Sequence, residues 1–259
     1  MVECKTATNP EIVADLFRPP TGSDLTPLTE DGLTNYRSII GSLSYAANTT
    51  RIDIAHVVNE LSRFNTSATQ FHLKAAKHVL RYLAGTTKQS LLFGNDSNNS
   101  NNSKCTVEVY ADANWGGDTE TRRSTTGVVI KLNGDLICWQ TKKQRTVAKS
   151  STEAEYMALS EATSEAMWMR TWIQEVFNLN VAVQMYCDNQ SAIALTKNDT
   201  FHQRTKHIDI KFHYVRERYA AGDIILNWVS TVDQQADLLT KMLNTKQFLL
   251  LRDKLMVTA

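Results

Sequence analysis

The chain has few of the residues that stiffen or staple a protein, and almost no net charge. All four prolines (Pro10, Pro19, Pro20 and Pro27) fall in the first thirty of its 259 residues. Those thirty read as an extended lead-in, and no proline breaks an element beyond them. The four cysteines (Cys4, Cys105, Cys138 and Cys187) are widely spaced, with no C-x-x-C pair. That spacing disfavours a disulfide framework or a zinc site and points to a reducing compartment. Cys138 and Cys187 lie in apolar runs, where a free thiol behaves as a small hydrophobe. No apolar stretch reaches the roughly 18 residues a membrane span needs, and MVECKTATNPEIVAD has no signal-peptide core. The expected location is inside the cell, cytoplasmic or nuclear, with neither secretion nor a membrane partner. A net charge of +1 gives no global field toward nucleic acid, so any such binding must use local patches.

From Asp31 to Gly85 apolar residues recur at three- and four-residue steps, predicting three helices. Their stripes are Tyr36, Ile39, Ile40, Leu43 and Ala47; Ile54, Val57, Val58, Leu61 and Phe64; and Leu73, Ala76, Val79, Leu80 and Leu83. Three such stripes need a further surface to be buried. The polar tract NDSNNSNNS over residues 95–103 reads as a linker. The expected division is a lead-in at 1–30, a helical segment at 31–94, the linker at 95–103 and a second domain at 104–259.

Past the linker, Cys105 to Ala111, Thr125 to Leu132 and Asp135 to Thr141 are β-type runs, the last two joined by Asn133-Gly134, a hairpin signal. A long helix from about Ser151 to Val176 follows, then a strand Val183 to Cys187 and a short helix Ser191 to Lys197. A helix Ile208 to Tyr219 and a strand Ile224 to Ser230 come next, before helices near Asp233 to Leu243 and Thr245 to Leu255. This pattern is an α/β domain with a mixed five-stranded sheet.

Four acids do not suit a core or a plain surface. Asp112 and Asp188 each follow a strand, and strand–crossover–strand topology sets two such ends side by side at the carboxyl edge of a sheet. Glu155 heads the apolar stripe Ala158, Leu159, Ala162, Ala166, Met169 and Ile173, whereas Glu153 lies about 200° around the same helix. Near the end, Asp233 suits an N-cap of the last amphipathic segment, which leaves Asp237 for the site. Clustered carboxylates need a cation, and oxygen ligands select Mg²⁺ or Mn²⁺ over zinc. Two such ions would suit phosphodiester hydrolysis.

These residues sit in motifs that resemble the ribonuclease H of copia-type LTR retrotransposon Pol polyproteins. The matching motifs are YADANWGGDTETRRSTTG, TVAKSSTEAEYMALSEATSEAMWMR, YCDNQSAIALTKN, RTKHIDIKFHYVRE and QQADLLTK. Upstream, YRSIIGSLSYAANTTRIDIAHVVNELSRF and HLKAAKHVLRYLAGT are similar to the thumb/connection segment of the same family's reverse transcriptase. The resemblance implies a ribonuclease H-like fold preceded by a small helical thumb/connection segment. It assigns catalysis and metal binding to Asp112, Glu155, Asp188 and Asp237, with two Mg²⁺ or Mn²⁺ ions, and cleavage of the RNA strand of RNA:DNA hybrids. The implied partner is the polymerase part of a reverse transcriptase, and the implied setting a cytoplasmic virus-like particle. Two departures stand out: the chain has no YxDD polymerase motif, and no histidine lies between Val229 and Asp237, where cellular ribonucleases H carry a Gly/His loop. It therefore looks like the C-terminal piece of a longer polyprotein.

Candidate nucleic-acid contacts are the basic run Lys142, Lys143, Arg145 and Lys149, beside Ser151 and Thr152 at a helix start, with Arg122, Arg123 and Trp115. Arg51, Lys74, Lys77 and Arg81 are weaker candidates for following a hybrid's backbone. His207 and His213 fall on different faces of one helix and form no ligand pair, while Trp139, Trp168, Trp172 and Trp228 are expected in the core. The competing reading is a catalytically inactive nucleic-acid-binding remnant. An integrase fits less well, because its acids end in a helical Glu.

Overall fold

The computed structural model describes residues 5–11, 25–94, 105–197 and 209–258. The linker at 95–103, His207, residues 12–24 of the lead-in and the start of RTKHIDIKFHYVRE lie outside the described residues. The chain forms two compact units, Met1–Leu91 with Met242–Ala259, and Leu92–Lys241. No described helix is long and apolar enough to cross a membrane.

The first unit is helical: α1 (Glu30–Thr49), α2 (Ala55–Ser62) after a 3-10 turn, and α3 (Gln70–Gly85). Each start has a local cause. Thr29 caps α1 by accepting from the Gly32 N–H, with Glu30 and Asp31 in the first turn, and Thr69 with His72 forms a capping box on α3. The further surface that these helices need comes from the chain's own end. There α7 (Thr245–Asp253) buries Phe248 and Leu251, and the Phe248 ring meets Tyr82 edge-on at 5.8 Å. Two short strands, β1 (Gln89–Ser90) and β7 (Val257–Thr258), pair antiparallel beside it.

These unit limits differ from the division expected from sequence, which placed 242–259 with the second domain. The described lead-in residues are mostly exposed but tied to the helices: His78 bonds the Asn9 carbonyl, Glu11 pairs with His56 at 2.7 Å, and Arg81 donates to the Lys5 carbonyl. Arg51 is equally structural. It is buried in an ion pair with Asp53, whose carboxylate also accepts from Tyr82.

The second unit is α/β. Strands β2 (Val107–Asn114), β3 (Thr125–Leu132), β4 (Asp135–Lys143), β5 (Val183–Cys187) and β6 (Ile224–Trp228) form one sheet in the order β4-β3-β2-β5-β6. The pairs β2–β3 and β3–β4 are antiparallel, while β2–β5 and β5–β6 are parallel. This is the mixed five-stranded ribonuclease H-like topology that the motifs imply. Asn133 and Gly134 take positive φ of 53° and 89°, as the tight β3–β4 hairpin requires. Helix α4 (Ser151–Phe177) starts at Ser150, which accepts from the Glu153 N–H, and ends at left-handed Asn178. With α5 (Gln190–Lys197) and α6 (Asp209–Ala220) it flanks the sheet around a core of Val107, Val109, Leu159, Ile173 and Met185.

Two expectations fail here. Trp168, Trp172 and Trp228 are exposed and Trp139 is only half-buried, so none belongs to the core. The helix expected over Asp233–Leu243 is instead a pair of 3-10 turns, Thr231–Asp233 and Gln235–Leu239. Helical periodicity presumes one wet face, but 234–240 are buried throughout, pressed against the sheet at Gly127. A methyl at Gly127 would stand 2.6 Å from Thr240 Cγ2 and 2.8 Å from the Ala236 carbonyl oxygen. Gly127→Ala is therefore expected to cost about 1–3 kcal/mol by overpacking, read as a lower urea midpoint at unchanged slope. An unshifted midpoint would mean that the turn yields freely.

Candidate active site

Parallel pairing sets the first two acids. Tyr110 of β2 lies opposite Tyr186 of β5, so Asp112 and Asp188, each two residues further on, reach the same height at the carboxyl end of the sheet. Asp112 lies inside β2, which runs on to Asn114, rather than after it as the sequence suggested. The third acid arrives on α4, whose Ala154, Ala158 and Ala162 are all fully buried and let the helix approach the sheet closely. Gln144 holds the first turn of α4 by donating to the Ala154 carbonyl at 2.9 Å and to Thr126 Oγ1 at 3.0 Å. The fourth acid rides on the 3-10 turn. Gln234 caps this turn and donates to the Ala111 carbonyl at 3.0 Å, and Thr141 donates to the Leu239 carbonyl at 2.7 Å. Asp233 is not that cap; its carboxylate accepts from Ser230 instead.

The four carboxylates converge. Asp112, Glu155 and Asp237 are buried and Asp188 is half-buried. Carboxylate oxygens of Glu155 and Asp188 and the Cys187 sulfur lie within 4.8 Å of one another. Asp112 accepts from the Thr240 hydroxyl, and Asp188 accepts from Thr231 at 2.8 Å. Lys241 places Nζ 2.8 Å from Asp237 Oδ1 and 3.9 Å from Asp112 Oδ2.

Burial pushes the Glu155 carboxyl up to about 10, with Asp112 and then Asp188 adding to it against a bond from the Ala113 N–H. Burial and then Asp112 push Asp237 up to about 7, opposed by Lys241. Burial also raises Asp112, against the pull of Lys241 and Thr240. Burial disfavours charge on Lys241, yet Asp112 and Asp237 overcome it and hold the proton above the usual lysine range. Burial, with Glu155 next, likewise raises the Cys187 thiol, and the remaining donors of the cluster are carboxylate oxygens. Glu155 Oε2 is buried with no hydrogen-bond partner among the described residues, as suits an oxygen kept for a cation. Hard divalent ions therefore fit this cluster.

The expected contact residues divide. Lys142 pairs with Glu161 and Lys143 with Asp118, so in this structure these two ammonium groups already face acids of their own unit. Arg122, Arg123, Arg145, Lys149 and Ser151 are exposed, and Thr152 is half-buried. Trp115 is half-exposed, with its indole N–H fixed on the Ala148 carbonyl. Trp228, assigned to the core from sequence, stands at the rim with its N–H on the Asp188 carbonyl at 3.1 Å. Lys241 and Thr240 had gone unremarked. The spacing of Lys241, four residues after Asp237, was the available signal.

No protein-family model matches the chain. It is 41% identical over 84% of its length to the Retrovirus-related Pol polyprotein from transposon TNT 1-94 of Nicotiana tabacum, covering 16% of that protein. It is 38% identical over its whole length to the Retrovirus-related Pol polyprotein from transposon RE1 of Arabidopsis thaliana, covering 17%. The chain thus spans about a sixth of the length of these curated relatives. Among solved structures, LC11-RNase H1, isolated from compost, is 14% identical with a TM-score of 0.41, over 52% of this chain and 92% of that one.

The raised acids make stability depend on pH. Folded Glu155 and Asp237 hold protons that the unfolded chain has already released above about pH 5. In chelator, the melting temperature should therefore fall as pH rises through 7 toward 10. Divalent ions should flatten that decline, and Glu155→Gln should remove its alkaline part. A melting temperature that holds level from pH 5 to 9 in chelator would contradict this.

Proposed function

The chain belongs to the copia-type retrotransposon Pol family, and on that premise we propose that its Leu92–Lys241 unit is an endoribonuclease that hydrolyses the RNA strand of RNA:DNA hybrids during reverse transcription. The observation that carries this reading is the convergence of Asp112, Glu155, Asp188 and Asp237 around a buried, unpartnered Glu155 oxygen. Two divalent cations, Mg²⁺ or Mn²⁺, would supply the Lewis acidity that activates a water and stabilises the leaving oxygen. The chain's own residues hold the ligands in place. Thr240 and Thr231 fix the Asp112 and Asp188 carboxylates by donating to them, and the Ala113 N–H fixes Glu155.

Binding would use the exposed Arg145, Lys149 and Ser151 at the start of α4, with Arg122 and Arg123, against the phosphate backbone. The half-exposed rings of Trp115 and Trp228 offer flat, anchored faces to sugars or bases. A polymerase partner and a site of action in the cytoplasmic particle belong to the same proposal.

The purified protein should cut the RNA strand of an end-labelled hybrid with Mg²⁺ or Mn²⁺. Asp112→Asn should lower that rate by about a thousandfold, the scale of losing a group that stabilises developing charge. Duplex DNA should be spared, since discrimination rests on the 2′-hydroxyl and the duplex shape. Hybrid binding without metal-dependent cutting would establish instead the inactive nucleic-acid-binding remnant. Duplex DNA cut as fast as hybrid would overturn the substrate assignment.

A further inference from the structure

The acid cluster has two chemically unlike halves. In one, Asp237 holds the Lys241 ammonium at 2.8 Å, and Asp112 faces the same ammonium at 3.9 Å. In the other, Glu155 and Asp188 gather beside the Cys187 sulfur, and Glu155 Oε2 has no partner among the described residues. A cation entering the second half gains a Glu155 oxygen with no partner among the described residues, whereas Asp237 Oδ1, also without a hydrogen bond, has the Lys241 ammonium 2.8 Å away. A cation entering the first half meets lone pairs already serving an ammonium, and must displace it.

We propose that Lys241 is a positioning residue, a counter-ion built into the chain that occupies the Asp112–Asp237 half of the site, so that divalent cations load in order. The Glu155–Asp188 half fills first, and the Asp112–Asp237 half fills only when Lys241 withdraws. The lysine has the means to withdraw. Its side chain is 33% exposed, its stem is flexible, and its backbone lies where the 3-10 turn ends, so the ammonium reaches water without disturbing the turn. Asp112 keeps the Thr240 hydroxyl when the ammonium leaves, so one hydrogen bond survives the exchange. An ammonium tethered four residues from its carboxylate re-forms the pair at once when the cation departs, which keeps these buried acids from standing uncompensated. The proposal rests on the reading of this cluster as a site for hard divalent cations.

Mn²⁺ titration of the whole protein without substrate, followed by calorimetry and by the electron-spin signal of free Mn²⁺, tests it. The wild type should show one stronger and one weaker site. Lys241→Met, uncharged and similar in shape, should tighten the weaker site by about tenfold or more, since it removes a competing unit charge at contact distance. Lys241→Arg should leave that site weak, and Glu155→Gln should weaken the stronger one. In EDTA, Lys241→Met should melt below the wild type, and added Mn²⁺ should raise it more than it raises the wild type. A lysine that only packs would not produce that reversal. Equal Mn²⁺ stoichiometry and affinity in the wild type and Lys241→Met would overturn the role of Lys241 and leave the metal site standing. Absence of Mn²⁺ uptake by both proteins would overturn the metal site and the lysine's role together.

Discussion

Four carboxylates forced together at the end of one sheet are the constraint on which the second unit depends. Parallel pairing of β2 and β5 leaves Asp112 and Asp188 no choice but adjacency, and the small residues of α4 bring Glu155 onto them. Burial, with the charges of Asp112 and Asp188, raises the proton affinity of Glu155 and Asp237, so the arrangement opposes folding unless something answers the charge. What answers it on the chain is a set of partial measures: Thr240 on Asp112, Thr231 on Asp188, an N–H on Glu155 and one lysine on Asp237. None of these reaches Glu155 Oε2. Apart from Asp188, which stays half-exposed, the acids are kept dry and incompletely paired. That is the condition in which a divalent cation gains most from entering.

The segment after β6 shows how much structure goes into keeping the fourth acid in place. Residues 234–240 are buried throughout, which leaves no wet face for an amphipathic helix. Their order comes from cross-connections instead: Gln234 to the Ala111 carbonyl, Thr141 to the Leu239 carbonyl and Thr240 to the Asp112 carboxylate. Each joins the turn to a strand of the sheet, so Asp237 is held by the sheet rather than by its own local structure. The bare face at Gly127 is what allows the approach, because any side chain there would meet the turn's backbone.

Much of this was legible in the sequence because it rests on periodicity and local chemistry. The bounds of β3 and β5 match the apolar runs, the hairpin lies at Asn133-Gly134, and the helical phase alone separates Glu155 from Glu153. The failures share a physical cause: each concerns a residue whose environment is set by a distant partner. Trp228 has core composition, but it caps an edge strand and turns its N–H to Asp188. The ion pairs of Lys142 and Lys143 with Glu161 and Asp118 were equally invisible, because those acids lie across from them in the fold. The last helix, α7, follows the acid turn directly yet packs against Tyr82 of the first unit. No window of sequence contains such pairings.

The placement of Lys241 ties the electrostatics to the chemistry. On the proposed reading, a site of buried acids must stay folded in the intervals when no cation is bound. A tethered ammonium answers that need on one side of the cluster only, where the turn ends four residues after Asp237. Among the described residues Glu155 Oε2 has neither a hydrogen bond nor an ammonium beside it, while Asp237 Oδ1, which also lacks a hydrogen bond, has Lys241. Stability is therefore given up where the first cation would enter and kept where the second would. Local rules of burial are broken at this cluster, and a functional site is where such a breach is expected.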